Sequence, residues 1–155
     1  MEIGSLSLPS EIIVPYKEIL FTLILYFIVA IPEELGWTFI LTEPLAKSYG
    51  PVKAGLLIGS IWAGWHIIPW SWTHSLWWVL GMFVLDLLIR VSMVYAYMFG
   101  GKSLFTSVIF HAMTNVSMSL FPNYGSHMNP WVFSLWMAVA LILQIYFIGR
   151  KEDQL

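Results

Sequence analysis

Leu76–Phe99, LWWVLGMFVLDLLIRVSMVYAYMF, is long enough at ~1.5 Å per residue to cross a ~30 Å hydrocarbon core as one α-helix. Within it only Asp86 and Arg90 carry a formal charge. A membrane strand needs only ~9–11 residues, so a run of this length reads as helix. Four more apolar runs flank it. They cover about Lys17–Leu41, interrupted by Pro32-Glu33-Glu34, then Lys53–Trp70, Ser103–Phe121 and Trp131–Ile148. Turn chemistry separates them at Glu43-Pro44, Tyr49-Gly50-Pro51, Gly100-Gly101-Lys102 and Pro122-Asn123-Tyr124-Gly125. The expectation is an all-α, polytopic transmembrane bundle of about five helices, with residues 1–155 forming a single membrane domain.

Composition supports the bilayer as solvent. The chain is 59% hydrophobic and only 10% charged, where a soluble domain carries about a quarter charged residues. So few charges cannot cover a water-facing surface. Trp70, Trp72, Trp77, Trp78 and Trp131 lie at the ends of apolar runs, where indole rings suit the headgroup region. With no Cys, the chain has no disulfide, no catalytic thiol and no thiolate metal site. A net charge of −2 points away from nucleic acid and leaves membrane lipid as the expected surroundings. The opening stretch, with Glu2, Glu11 and Glu18, lacks the basic region of a signal peptide. Lys47, Lys53, Lys102, Arg150 and Lys151 fall on one side of a five-helix topology and Lys17 on the other. The positive-inside rule then predicts a multi-pass protein of the cell membrane with its N-terminus outside and its C-terminus cytoplasmic.

Charges inside a membrane are costly, about 2.5–3.5 kcal/mol each at mid-bilayer, so those present are functional candidates. They are Glu33, Glu34, His66, Asp86, Arg90 and His111, joined by the polar Asn115. Depth comes from helical rise, with lysines as markers. Glu33 lies ~21 Å from Lys47, His66 ~20 Å from Lys53, Asn115 ~20 Å and His111 ~14 Å from Lys102. Separate helices thus bring polar groups to similar depths, which predicts one shared site. His111 and Asn115 share a helix face at i and i+4, as do Trp62 and His66. The adjacent Glu33 and Glu34 point ~100° apart and should differ in role. Taken singly, each has a plain structural reading: a histidine bonded to a neighbouring helix, an Asp86–Arg90 pair one turn apart, a glutamate doublet marking a helix break. Their coincidence in depth favours function.

The sequence resembles the CAAX-protease and bacteriocin-processing family, which includes the Ras-converting CAAX endopeptidases. The family pattern is E-E-x-x-x-R, F-x-x-x-H and H-x-x-x-N. Here it meets Glu33-Glu34-Leu35-Gly36-Trp37-Thr38, Trp62-Ala63-Gly64-Trp65-His66 and His111-Ala112-Met113-Thr114-Asn115, a likeness over about residues 30–120. Thr38 stands in place of the motif arginine and Trp62 in place of the phenylalanine. The chain is also shorter than the family's usual members.

The resemblance implies an intramembrane endopeptidase without metal or other cofactor, acting on a peptide or protein with a hydrophobic or lipidated C-terminus. Glu33 would be the base that activates water, His66 would orient that water, and His111 with Asn115 would bind the oxyanion. Glu34 would support the site. A carboxylate in low-dielectric surroundings is a stronger base than one in water, which suits the chemistry. With the motif arginine missing, Arg90, ~18 Å from Lys102, is expected to reach Glu34 from the third helix; a local bond to Asp86 competes. Zinc is the nearest mechanistic rival, since Glu33, His66 and His111 are all ligand types, but the H-E-x-x-H helix is absent. The same cluster would also suit a proton- or ion-linked transporter, or a non-enzymatic scaffold or immunity protein. No inverted repeat supports the transporter.

Overall fold

A computed structural model describes residues 16–119 and 128–152, with the side chains of 149–152 excepted. The expected turn at Pro122–Gly125, the last residues of the fourth apolar run, Glu2 and Glu11, and the side chains of Arg150 and Lys151 lie outside the described residues. Within them the protein is helical: α1 (Tyr16–Glu34), a π-helical segment (Leu35–Ile40), α2 (Thr42–Tyr49), α3 (Pro51–Ser71), α4 (Leu76–Phe99), α5 (Leu104–Ser119) and α6 (Pro130–Glu152).

α4 is the axis of the bundle. Buried within the protein is 67% of its most apolar stretch, against 11% for the first and last spans. α3 packs along α4 most extensively, α6 covers another side, and α5 lies mainly on α1. The outer faces carry Phe21, Ile24 and Ile28 on α1, and Leu135, Trp136, Ile142 and Phe147 on α6, all exposed. Apolar side chains turned outward in such number are what a lipid-facing surface requires.

Two glycines set the closeness of α3 to α4. A Cβ on Gly55 would lie 2.6 Å from the Val91 Cα, and one on Gly59 would lie 3.1 Å from the Arg90 Cβ. Gly55-Leu-Leu-Ile-Gly59 is a small-xxx-small stripe, the device that lets membrane helices meet backbone to backbone. α4 and α6 are joined by polar bonds instead. Ser92 Oγ donates to Gln144 Oε1 at 2.6 Å, Gln144 Nε2 returns a bond to the Ser92 carbonyl at 3.2 Å, and Ser134 Oγ donates to the Gly81 carbonyl at 3.2 Å.

The five apolar runs appear as the long helices α1, α3, α4, α5 and α6, with two corrections at the breaks. The first run is not broken at Pro32-Glu33-Glu34: α1 continues through the doublet and widens into the π-helical segment. Thr42 Oγ1 donates to the Trp37 carbonyl at 3.1 Å where the widened ladder rejoins α2. Glu43-Pro44 is likewise no loop but the first turn of α2, where a proline's missing N–H costs nothing. Among the described residues three stretches are long and apolar enough to cross a membrane: Tyr16–Tyr49, Leu76–Phe99 and Pro130–Ile148. α3 and α5 fall outside that set; they carry His66, His111 and Asn115. Tyr49-Gly50-Pro51 and Gly100-Gly101-Lys102 are turns as expected, with positive φ at Gly50, Gly101 and Lys102. At this end of the bundle Glu43 Oε1 accepts from Lys102 at 2.6 Å and pairs with Lys47 at 2.8 Å.

Candidate active site

The two glutamates at the end of α1 are treated differently. Glu34 is fully buried and Glu33 half-buried. Glu34 Oε2 accepts from Arg90 Nη1 at 2.8 Å and from Thr38 Oγ1; its Oε1 meets His111 Nδ1 at 2.8 Å. α1, α4, α5 and the π-helical segment are thereby joined at one carboxylate. Of the two carboxylates within Arg90's range, Glu34 takes the guanidinium. Thr38, which replaces the motif arginine, also bonds to Glu34, so the positive charge comes from α4 instead of from the next turn of the same helix.

Arg90 is fully buried, and its Nε and Nη2 have no hydrogen-bond partner among the described residues. Its Cζ lies 4.3 Å from the centroid of the Trp62 ring, a cation–π contact that partly replaces the missing acceptors. Gly59, one turn before Ala63 on α3, leaves the space through which the Arg90 stem passes.

Trp62 is the hub that the sequence did not reveal. Its indole Nε1–H donates to Glu33 Oε2 at 3.0 Å. Its ring edges meet His66 at 5.3 Å and His111 at 5.4 Å between centroids, both nearly perpendicular. A phenylalanine could supply the ring and the edges but not the N–H. The signal was present in the motif departure itself, since Trp differs from Phe by a donor.

Glu33, Trp62, His66, Asp86, His111 and Asn115 line one open cavity of about 700 Å³, whose further wall includes Trp70 and Trp78. Both histidines are fixed through Nδ1: His111 on the Glu34 carboxylate, His66 on the Trp62 carbonyl at 2.9 Å. A carbonyl only accepts, so His66 Nδ1 carries a proton; an ionised Glu34 demands the same of His111. Each ring then has Nε2 free for the cavity. Asp86 does not form the local pair with Arg90 that their i, i+4 spacing allows. It is buried instead beside His66, with Oδ2 at 3.9 Å from Nδ1. The Asn115 amide forms no hydrogen bond among the described residues. Among those residues no three His, Asp or Glu side chains are grouped to hold one metal ion. Beside this cavity runs an apolar groove of about 440 Å³, lined by Leu85, Ile89, Phe110, Phe133 and Met137 among others; Thr114 and Met118 border both spaces.

Helices of this length, apolarity and outward-facing hydrophobicity, enclosing a cavity of carboxylates and imidazoles, define a multi-pass helical membrane protein with an internal polar site. The chain belongs to the Type II CAAX prenyl endopeptidase Rce1-like family, whose model matches residues 15–117. It is similar to CAAX prenyl protease 2 of Methanococcus maripaludis, 28% identical over 107 residues, an alignment that takes in 63% of this chain and 40% of that protein. The chain therefore spans less than half the length of that relative. No solved structure matches it.

Proposed function

We propose that this protein is an intramembrane endopeptidase of glutamic type, hydrolysing a peptide bond in a hydrophobic or lipidated, CAAX-like or leader-type segment. The observation that carries the reading is the division of labour at the doublet. Glu34 is consumed by three partners, whereas Glu33 is held by a single indole N–H and faces a cavity shared with His66, His111 and Asn115. A carboxylate with a free oxygen beside a water-sized space is what a general base requires.

In this mechanism Glu33 takes a proton from water as the oxygen attacks the scissile carbonyl. His66 lines the same cavity, and its ring orients that water. The developing oxyanion is met by Asn115, and by His111 when its ring is protonated, with Glu34 as the counter-charge behind it. The apolar groove continues from the cavity past Thr114 and Met118 and suits the hydrophobic part of a substrate. Metal enters no step. Lys47 and Lys102, both assigned to the cytoplasmic side, meet on Glu43, which supports a cytoplasmic placement for that end of the bundle.

The test is cleavage of a farnesylated CAAX peptide by the full chain in detergent, followed by mass spectrometry. The wild-type protein should cleave it, with or without EDTA. Glu33→Gln should lose on the order of 10²–10⁴-fold in turnover while inserting normally. An unaffected Glu33→Gln variant, or activity abolished by the chelator and restored by zinc, would refute the mechanism.

A further inference from the structure

Charges in the site do not balance pairwise. Glu34 and Arg90 neutralise each other at 2.8 Å. Glu33 faces the cavity with an indole donor. Asp86 is left over: it is 3% exposed, and its Oδ2 has no hydrogen-bond partner among the described residues. Arg90, one turn further along α4, is directed to Glu34. A buried carboxylate oxygen without a donor is costly, so its persistence calls for a reason. His66 Nδ1 lies 3.9 Å from it.

His66 has two acceptors within reach of one N–H. In the present geometry Nδ1 is bonded to its own helix, at the Trp62 carbonyl, and the ring is stacked on Trp70 at 5.1 Å between centroids. Asp86 Oδ2 lies 3.9 Å from the same nitrogen, so turning the ring off the Trp62 carbonyl is the movement that would pair this N–H with Asp86. The carboxylate then forms a dyad with His66 on one side of Trp62, as Glu34 does with His111 on the other. The two dyads differ in charge. Glu34 divides its charge between Arg90 and His111, whereas Asp86 has no cation bonded to it and can hold an imidazolium at His66 alone.

We infer that Asp86 is a positioning residue that holds His66 as the proton donor to the departing amine. This rests on the endopeptidase reading above and gives His66 a second task after it has oriented the water. The step balances. Water adds its oxygen to the carbonyl carbon and gives one proton to Glu33. When the tetrahedral intermediate collapses, the C–N bond breaks, nitrogen keeps the electron pair, and the proton on His66 Nε2 moves to it. The products are a carboxylic acid and an amine; the proton on Glu33 then returns to His66, restoring both groups.

Leaving-group chemistry tests this. An amide nitrogen must be protonated to depart, whereas an ester oxygen departs far more readily without help. Two substrates are compared: the farnesylated CAAX peptide and its analogue with an ester at the scissile bond. With the amide, Asp86→Asn should lower kcat on the order of 10²-fold and leave KM within about twofold. With the ester the loss should stay below about threefold. Asp86→Glu, which keeps the charge, should recover part of the amide activity. Equal losses on both substrates would mean a structural role and overturn the inference, as would full amide activity in Asp86→Asn. Should Asp86→Asn not accumulate in membranes, ring nitrogen-15 spectra of the wild-type protein decide independently of activity. A His66 ring protonated at both nitrogens supports the inference; a neutral ring, protonated at either nitrogen alone, overturns it. Absence of wild-type cleavage of either substrate would count against the endopeptidase reading itself, and the spectra would still report on the Asp86–His66 pair.

Discussion

Replacing Arg90 by Met tests whether the buried Glu34–Arg90 pair organises the bundle. Met keeps most of the stem's volume and removes the guanidinium. Glu34 Oε2 is then left with Thr38 as its remaining donor in a fully buried position. Removing one partner of a buried pair costs about 3–5 kcal/mol, because the other charge stays behind unpaired. Loss of the cation over Trp62 at 4.3 Å adds on the order of 1 kcal/mol. Glu34→Gln should cost a similar amount, since Arg90 would then lack a carboxylate as well as partners for Nε and Nη2. The double variant strands neither charge and should recover about 2–3 kcal/mol relative to additivity. The measurement is reversible unfolding in mixed micelles followed by circular dichroism, for all four members of the cycle. A parallel cycle with Asp86→Asn provides the comparison. A Glu34–Arg90 coupling under about 0.5 kcal/mol, or one smaller than the Asp86–Arg90 coupling, would refute the organising role of the pair.

Gly55→Leu should destabilise the protein by about 1–3 kcal/mol or more, because its Cβ meets the Val91 backbone at 2.6 Å and backbone cannot yield as a side chain does. Gly64→Leu is the control, with nothing within 4 Å of its Cβ; equal melting temperatures for the two variants would discount the glycine stripe. Trp62→Phe keeps a ring between the histidines and over Arg90 but removes the donor to Glu33. Hydrogen bonds to charged groups are worth about 1.5–3 kcal/mol, so turnover should fall about 10-fold or more, with a loss of stability on the order of 1–3 kcal/mol from the bond and the smaller ring. Wild-type turnover in that variant would show that the indole N–H does not orient Glu33.

Much of this arrangement was legible because membrane burial makes each polar residue conspicuous. Length and hydropathy placed α4 at Leu76–Phe99, and α-helical rise put Glu34, Arg90 and His111 at depths from which they meet within hydrogen-bond distance. Rise gives depth but not azimuth, and the misses are azimuthal. Arg90 reaches Glu34 as expected, but the approach of Asp86 to His66 depends on the rotation of α4 against α3, which rise does not give. That rotation is set by Gly55 and Gly59, which read only as apolar filler in a hydropathy scan. Trp62 is recognisable as an aromatic standing for phenylalanine, and the added N–H is visible in that departure, but the acceptor it meets, Glu33 on another helix, is not. The helix break expected at Pro32 fails for a different reason: α1 runs through the proline to Glu34, and the departure from α-helical geometry comes after the doublet, at Leu35–Ile40.

That π-helical segment has a consequence for how this chain compares with its relatives. A π-turn is an α-helix carrying one residue too many, absorbed locally so that the helix beyond it keeps its facing. Deleting one residue between Leu35 and Ile40 would therefore tighten the turn to an ordinary helix and leave Glu43 facing Lys102. The same deletion within α1 would rotate the upstream helix by ~100° against everything after it. Length variation in the family should thus collect immediately after the glutamate doublet. A one-residue gap there in an alignment would shift the letter standing beneath the motif arginine without moving the helix that bears it.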